Sequence, residues 1–360
     1  MHRNNHMERE EIDLLLDTAR RWFHANQPLE ARVAAFKNGH HGDLKAWVQM
    51  AEMGWLGLSL PELAGGFGAG QAACFALIRE AGRDARPEPL ALHLLLAPLL
   101  AKAMPEHAEA LGAGTLRLAV ADVALGSNAV RWSGAEVLQG QAGCVLGSDN
   151  ASHLLLPVGQ GDAATLALVN LGAPGITAAA ARLVDTRATL QITFSKTPAL
   201  CIESTSAGQA IAQRAIDLAA AAQIADSAGV LDAAFALTLD YLKQRIQFGK
   251  PLSAQQAVQH KMAEVFCDLQ QLLALAGRVA AEIDMAPGGP WPTLAPAKSF
   301  IGRRVLRAAG QLIQVSGGIA VTEEYKLTHF YRRLHVAAAL FGNAEQQLAR
   351  IDVRRQLRAA

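Results

Sequence analysis

The pattern of hydrophobic positions divides the chain into three segments. Up to residue 113, apolar residues recur at helical spacing, as in I-D-L-L-L-D-T-A-R-R-W-F, and Gly and Pro separate the segments. Over 114–200 the pattern changes to short apolar runs such as S-H-L-L-L-P-V and T-L-A-L-V-N-L, which are typical of strands. Over 201–360, long Ala-, Leu- and Gln-rich stretches predict helices, interrupted by a loop at A-P-G-G-P-W-P. We therefore expect a helical domain over 1–113, a small β domain over 114–200 and a helical bundle over 201–360.

Length and charge narrow the classes of function. A chain of 360 residues has room for a sizeable core and more than one domain. The net charge of +1 gives no electrostatic basis for binding nucleic acid or an anionic membrane. The most apolar run, Leu90 to Leu100, is too short to cross a bilayer, and the charged start of the chain is not followed by the apolar region of a signal peptide. We expect a cytoplasmic protein that binds neither nucleic acid nor membrane.

The cysteines and histidines do not form a metal motif. No two cysteines make a C-x-x-C pair, so the sequence predicts no metal site and no disulfide framework. His329 and His335 flank an Arg-Arg pair, where surface or interface roles are expected rather than acid–base chemistry. The four cysteines are Cys74, Cys144, Cys201 and Cys267.

The segment from Tyr241 to Gln259 combines a candidate phosphate ligand with an aromatic ring. It reads Y-L-K-Q-R-I-Q-F-G-K-P-L-S-A-Q-Q-A-V-Q. The guanidinium of Arg245 can hold phosphate oxygens through several donors, and the ring of Phe248 can cover a base. A structural interpretation is equally open, in which Arg245 caps the C-terminus of a helix and Gly249 ends it.

A second segment, Gln314 to Gln347, begins Q-V-S-G-G and ends L-F-G-N-A-E-Q-Q. Gly317 and Gly318 would allow the backbone to approach a ribose or phosphate closely. A single Gly-Gly pair is weak evidence. At this spacing from R-I-Q-F-G, the pair is strong evidence for a resemblance to a known family.

Together the two segments resemble the cofactor-facing motifs of the acyl-CoA dehydrogenases, FAD enzymes that desaturate acyl-CoA thioesters. The stretch W-V-Q-M-A-E-M-G-W-L-G-L-S-L-P-E-L-A-G-G-F-G resembles the family's N-terminal motif. The wording V-T-E-E-Y-K-L-T-H-F-Y-R-R-L is similar to the small subunit of the pimeloyl-CoA dehydrogenase type, which acts on medium-chain dicarboxylyl-CoA thioesters. The resemblance implies a mainly α fold with N-terminal helices, a small β-barrel-like middle domain and a C-terminal four-helix bundle.

The resemblance also implies a FAD site shared between subunits. In the family, the arginine of the first motif pairs with the diphosphate of a FAD held mainly by a neighbouring subunit, and the phenylalanine packs on the adenine end. Asn343 and Glu345 stand where threonine and glutamine usually touch the cofactor. The implied cofactor-binding residues are Arg245, Gln247, Phe248, Leu252, Gln255, Val258, Gln314, Gly317, Gly318, Asn343 and Glu345.

The resemblance leaves the catalytic base unassigned. Family members remove the α proton of the substrate with a carboxylate in a water-poor pocket, while a hydride leaves the β carbon for the flavin. Phe341 occupies the usual base position, and Ala219 or Ala220 occupies the alternative position used by some members. Asp217 and Asp226 lie on the same predicted helix as these alanines, and solvent-facing structural roles are expected for both.

The residues that would face the flavin ring also depart from the family pattern. A-D-V-A-L-G-S-N stands in place of Thr-Glu-Pro-x-x-Gly-Ser-Asp, so Ala121 replaces an expected hydroxyl. Ser127 is retained and is the implied substrate-binding residue. Cys144 and Leu146 replace the aromatic residue and the hydroxyl of a Trp-x-Thr element.

This asymmetry leads to a hypothesis about assembly. The chain keeps residues that would serve a neighbour's FAD and lacks several that would serve its own. It would then be the small subunit of a heterotetramer whose larger homologous subunit supplies the base. A self-sufficient homo-oligomer with another base, and an inactive assembly subunit, remain alternatives. The resemblance further implies an acyl-CoA substrate and electron-transfer flavoprotein as the electron acceptor.

Overall fold

The computed structural model describes residues 7–26, 28, 31–34, 44–123, 129–134, 136–159, 164–203 and 207–359. Its N-terminal part is helical, as the apolar spacing predicts. Helix α1 buries Leu16, Ala19 and Phe23, which recur three to four residues apart on one face. The N-terminal helices are α1 (Arg9–Ala25), α2 (Leu44–Glu52), α3 (Gln71–Arg83), α4 (Leu90–Ala103) and α5 (Ala108–Gly112).

A tight turn follows α2, where the sequence has its first Gly-Gly pair. Gly65 has a φ of +77°, a conformation that favours glycine. A Cβ added at Gly66 would lie 2.2 Å from the carbonyl oxygen of Leu60, so no larger residue fits there. The Gly-Gly pair is therefore required by the local fold of this segment.

The middle of the chain forms a mixed sheet of eight strands. Strand β1 runs parallel to β4, and the other pairings are antiparallel, in the order β6-β7-β3-β1-β4-β5-β8 with β2 beside β3. Buried residues that include Leu138, Leu154 and Phe194 form one apolar core. The strands are β1 (Leu118–Ala121), β2 (Arg131–Gly134), β3 (Val137–Leu146), β4 (His153–Val158), β5 (Thr165–Asn170), β6 (Ile176–Arg182), β7 (Ala188–Pro198) and β8 (Leu200–Cys201).

Long helices make up the C-terminal part. The predicted Pro- and Gly-rich loop lies between α7 and α8. A π-helical segment, Ile301–Val305, joins α8 to α9, and a 3-10 turn, Gly317–Val321, follows α9. The elements are α6 (Gly208–Gln244), β9 (Ile246–Gln247), β10 (Lys250–Pro251), α7 (Gln256–Met285), α8 (Leu294–Phe300), α9 (Leu306–Ser316), α10 (Lys326–Ala339) and α11 (Ala344–Ala359).

The chain forms two compact units. The first contains α2, α4, α5 and the whole eight-stranded sheet, and the second contains α1 and the C-terminal helices from α7 onwards. Helix α6 belongs to the first unit up to Ala222 and to the second from Gln223. In the described part of the chain, only α6 has the length and apolar composition to cross a membrane, and 83% of its most apolar window is buried inside the protein. Such burial is typical of a core helix. The boundaries near residues 113 and 200 stay predictions.

Candidate cofactor half-site and catalytic-base position

The first motif forms a β-hairpin with an aromatic residue at its tip. Strands β9 and β10 pair antiparallel with Lys250 opposite Gln247, so Phe248 and Gly249 form a two-residue turn. Both turn residues have positive φ, +53° and +76°, as a type I′ turn requires. The Phe248 side chain is 92% exposed. A large apolar ring is thus held in solvent on a backbone conformation that costs a non-glycine residue about 1 kcal/mol or more.

Arg245 lies at the base of this hairpin, immediately after α6. Its backbone N–H donates to the carbonyl of Tyr241 at 2.8 Å, and its carbonyl accepts from the N–H of Leu252 at 2.9 Å. The Arg245 side chain is exposed, and its guanidinium makes no hydrogen bond or ion pair within the described residues. Its backbone is fixed while its charge points into solvent. Gln247 is exposed. Leu252 lies in the 3-10 turn before α7, Gln255 is the N-cap of α7 and Val258 lies in its first turn, and all three are half-buried.

The second motif places a glycine turn at the end of α9. Gln314, Gly317 and Gly318 are all exposed. Gly317 has φ +75° and ψ −156°, a combination open to glycine and not to other residues. A Cβ at Gly318 would meet nothing within 4 Å, so the chain's own packing does not require glycine there. An open approach to the backbone suits a ligand or a second chain.

Phe341 lies in a tight turn between α10 and α11. Its φ is +52° and its ring is buried, with 1% exposed. Gly342 has φ +95°, and an added Cβ there would lie 2.5 Å from Nε2 of Gln347. This Nε2 donates to the carbonyl oxygen of Phe341 at 3.1 Å. The turn that the resemblance implies as the base position is therefore held by these contacts, and it presents a buried phenyl ring that cannot accept a proton.

A buried lysine of α8 holds the same turn. Nζ of Lys298 donates to the carbonyl oxygens of Ala337, Ala338 and Gly342 at 2.8, 3.2 and 3.0 Å. These carbonyls end α10 or follow it, where the helix supplies no partners of its own. Sequence reasoning did not single out Lys298. The available signal was a lone lysine within the apolar run L-A-P-A-K-S-F-I.

Asn343 caps the N-terminus of α11. Its Oδ1 accepts from the N–H of Gln346 at 3.0 Å, and Oε1 of Gln346 accepts from the N–H of Asn343 at 2.9 Å. This reciprocal pair is a capping box. Glu345 is exposed in the first helical turn, where the helix dipole favours an acidic residue. Because Oδ1 of Asn343 serves the cap, a contact with a cofactor would fall to its amide nitrogen.

Asp217 and Asp226 of α6 are buried, which corrects the expectation that they face solvent. Asp226 is 3% exposed, and its two oxygens accept from Nε and Nη2 of Arg333 at 2.9 Å each. Asp217 is 8% exposed and accepts from Nε2 of Gln213 at 2.9 Å. Both carboxylates have partners inside the protein, so each has a structural role in this arrangement. Ala219 and Ala220 are fully buried and carry no acid–base group.

The described positions that the resemblance would place near the flavin ring carry apolar or unreactive side chains. Ala121 and Leu146 are buried at the ends of β1 and β3. Cys144 lies at an irregularity in the pairing of β3 with β7 and has φ +51°. Burial, and then the charge of Asp122, raise the pKa of the Cys144 thiol to about 11, so it remains protonated near neutral pH. Ser127 lies outside the described residues.

His329 is buried, with 7% exposed, and His335 is exposed. The surface expectation therefore holds for His335 but is wrong for His329, whose Nε2 is 3.0 Å from the carbonyl oxygen of Glu323. In the ranges that the structure describes, no group of three or more His, Cys, Asp or Glu side chains could hold a metal ion.

Comparisons with known proteins agree with the family resemblance of the sequence. Residues 9–118 match the model of the acyl-CoA dehydrogenase N-terminal domain, and residues 206–355 match that of the C-terminal domain. Acyl-CoA dehydrogenase IpdE2 of Mycobacterium tuberculosis is 30% identical over 323 residues, which are 89% of each chain.

Solved structures also share the fold. A variant of the Tcur3481–Tcur3483 steroid ACAD superposes with a TM-score of 0.87 at 27% identity, over 98% of this chain and 99% of that one. The ChsE4–ChsE5 complex from Mycobacterium tuberculosis also gives a TM-score of 0.87, at 22% identity over 98% and 99% of the two chains. The predicted fold class, with N-terminal helices, a middle sheet domain and C-terminal helices, is confirmed.

Proposed function

Because the chain belongs to the acyl-CoA dehydrogenase family, whose enzymes use FAD, we propose that it is the base-lacking small subunit of a heteromeric acyl-CoA dehydrogenase. In this assembly the hairpin at Phe248 and the turn at Gly317 complete the FAD site of a larger homologous subunit. The larger subunit supplies the carboxylate that removes the α proton of the acyl-CoA thioester. The product is the α,β-unsaturated thioester.

The exposed Phe248 ring carries this proposal. A side chain with 92% of its surface in solvent, on a left-handed backbone, gains no stability from its own chain. Strain of this kind concentrates at binding sites, where a ligand or partner offsets it. An aromatic ring stacked on an adenine would bury its apolar faces. The surface therefore fits a contact made only in the assembled enzyme.

The charge and shape of the half-site fit the other parts of FAD. Arg245 offers a guanidinium that is not engaged within the described residues, and such a group binds diphosphate oxygens through charge-assisted hydrogen bonds. Gly318 leaves its backbone open to close approach. When bound, FAD accepts the hydride that leaves the β carbon of the substrate. This chain's residues would hold and orient the cofactor from its adenine end.

The turn at Phe341 supports a proposal in which one subunit supplies the catalytic base and this chain does not. Phe341 is buried in a turn held by Lys298 and Gln347, so the loop keeps a defined shape without a carboxylate. Ala219 and Ala220 leave the alternative position without one as well. A general base must reach the proton that it abstracts. In our proposal that base comes from the partner subunit. The ChsE4–ChsE5 complex, which has a similar fold, supports an assembly with a second protein.

Two acyl classes fit the proposal. The motif wording from Val321 to Leu334 favours a medium-chain dicarboxylyl-CoA thioester, whereas the likeness to a steroid ACAD favours a bulkier, ring-derived acyl group. Bleaching of the bound flavin by each thioester, under anaerobic conditions, distinguishes them. We further propose electron-transfer flavoprotein as the electron acceptor and the cytoplasm as the location.

The substitution Arg245→Ala tests the half-site. It should weaken FAD binding to the complex by about 10- to 100-fold, the loss expected for one charge-assisted contact. Arg307→Ala is the matched control, because Arg307 is an exposed arginine of α9 that pairs with Glu264 at 3.4 Å. FAD retention equal to that of the control would sink the half-site proposal. FAD bound normally by this chain alone would favour the self-sufficient homo-oligomer, and a complex without flavin would favour an inactive assembly subunit.

A further inference from the structure

Glu323, in the segment after the glycine turn, contacts two residues of α10. We infer that Glu323, with Arg332 and His329, is a positioning latch that sets the Gly317–Gly318 turn against the FAD of the partner subunit. The inference rests on the proposed function, because it concerns the half-site described above. It gives His329 and Arg332 a role that the sequence motifs do not explain.

The latch has two attachment points on α10. Oε1 of Glu323 accepts from Nη2 of Arg332 at 2.5 Å. The carbonyl oxygen of Glu323 lies 3.0 Å from Nε2 of His329, which is also 3.8 Å from Oε2 of the same carboxylate. His329 and Arg332 are three residues apart and so lie on one face of the helix. Both the backbone and the side chain of Glu323 are held.

The latched residue is joined rigidly to the glycine turn. The N–H and the Oγ1 of Thr322 both donate to the carbonyl oxygen of Ile319, at 3.2 and 3.0 Å. Thr322 therefore continues the 3-10 turn from Gly317 to Val321 up to the latch. At the other end the turn follows directly from α9. Movement of the glycine pair is limited from both sides.

The backbone of the glycine pair can adopt many conformations, so a contact outside the pair is needed to select one. Gly317 and Gly318 have the widest choice of backbone conformations, and a Cβ at either position would meet nothing within 4 Å. The turn's own packing thus does little to select one conformation. A half-site that must contact a cofactor closely needs its backbone set before binding, because ordering it during binding weakens affinity. Glu323 supplies that order from five residues beyond Gly318.

Loss of the latch should weaken flavin binding without a matching loss of folding stability. Arg332 and Glu323 are 28% and 39% exposed, and pairs at such sites contribute little to stability. Arg332→Ala and Glu323→Ala should each raise the FAD dissociation constant of the complex about fivefold, the size of one modest polar contact. The double variant should be no worse than either single variant, since both remove the same contact. Arg332→Lys, which keeps the charge, should recover part of the affinity.

The measurement is a titration of the flavin-free complex with FAD, followed by flavin fluorescence, with the thermal midpoint of the flavin-free protein recorded in parallel. Arg307→Ala and Glu264→Ala form the matched cycle, because this exposed pair joins α9 to α7 and includes no residue of the glycine turn. A raised dissociation constant with an unchanged midpoint supports the latch. If Arg245→Ala weakens FAD binding but the Glu323 and Arg332 variants match the control pair, the latch is wrong and the half-site stands. If Arg245→Ala also has no effect, both proposals fail.

Discussion

Replacing Lys298 with methionine tests how the base-position turn is held. The Lys298 side chain is fully buried, and its Nζ serves three carbonyl oxygens, those of Ala337, Ala338 and Gly342. Methionine keeps an unbranched chain of similar length but donates no hydrogen bond. Lys298→Met should therefore release the C-terminal end of α10 and the turn at Phe341 with little change in volume.

The loss of stability in Lys298→Met comes from the carbonyl groups that no longer receive a hydrogen bond. Each buried acceptor that loses its donor costs about 1–3 kcal/mol. The variant no longer buries an ammonium group, and this offsets several kcal/mol of the loss. We expect a net destabilisation of about 3 kcal/mol. With about 2.1 cal/mol/K of unfolding entropy per residue over 360 residues, that loss lowers Tm by about 4 °C.

Thermal unfolding of the flavin-free protein measures the effect, with Lys261→Met as the control. Lys261 is an exposed lysine of α7, so its substitution should leave Tm within about 1 °C of the parent. A Tm for Lys298→Met equal to that of Lys261→Met would refute the assignment of Lys298 as the residue that holds this turn. A gain in stability would show that the cost of burying the ammonium group outweighs its three hydrogen bonds.

Three further predictions concern buried groups. Burial lowers the pKa of His93 to about 4, below its ordinary 6.5, so the unfolded chain binds a proton at this residue first as the pH falls. The folded protein should therefore lose about 3 kcal/mol of stability between pH 6.5 and 4. Denaturant titrations of His93→Leu should lack this part of the pH dependence. Burial raises the pKa of Cys144 to about 11, so this thiol should react with iodoacetamide at pH 8 more slowly than the exposed Cys267. Mass spectrometry measures the order of the two reactions, and the reverse order would contradict the prediction. Asp226→Asn removes the anionic charge that pairs with the buried Arg333 and should lower the free energy of unfolding by about 3–5 kcal/mol in a denaturant titration. The double variant Asp226→Leu with Arg333→Met should recover most of this stability. A stability of Asp226→Asn within about 1 kcal/mol of the parent would contradict this prediction.

Local sequence patterns predicted the elements whose causes are themselves local. The alternation of short apolar runs with turn residues marked the strands, and A-P-G-G-P-W-P marked the end of α7 because Pro and Gly disfavour a helix interior. These features depend on a few adjacent residues, so one sequence is enough to find them.

Local sequence patterns could not predict which residues pair over long sequence distances or which charged residues are buried. Asp226 was expected to face solvent because charged side chains usually do, yet its partner Arg333 lies 107 residues away and neutralises it inside the protein. The turn at Phe248 was also hidden, because two-residue hairpins of this type normally carry Asn-Gly or Asp-Gly. Lys298 acts on carbonyl groups about 40 residues further along, and no periodicity records that contact.

The flavin content of the purified protein tests the central proposal most directly. The absorbance of FAD per polypeptide is measured for this chain alone and for its complex with the larger homologous subunit. We predict little FAD with the chain alone, and about one FAD per pair of subunits in the complex, because the half-site needs a partner to complete it. About one tightly bound FAD per chain in the absence of any partner would contradict the small-subunit account.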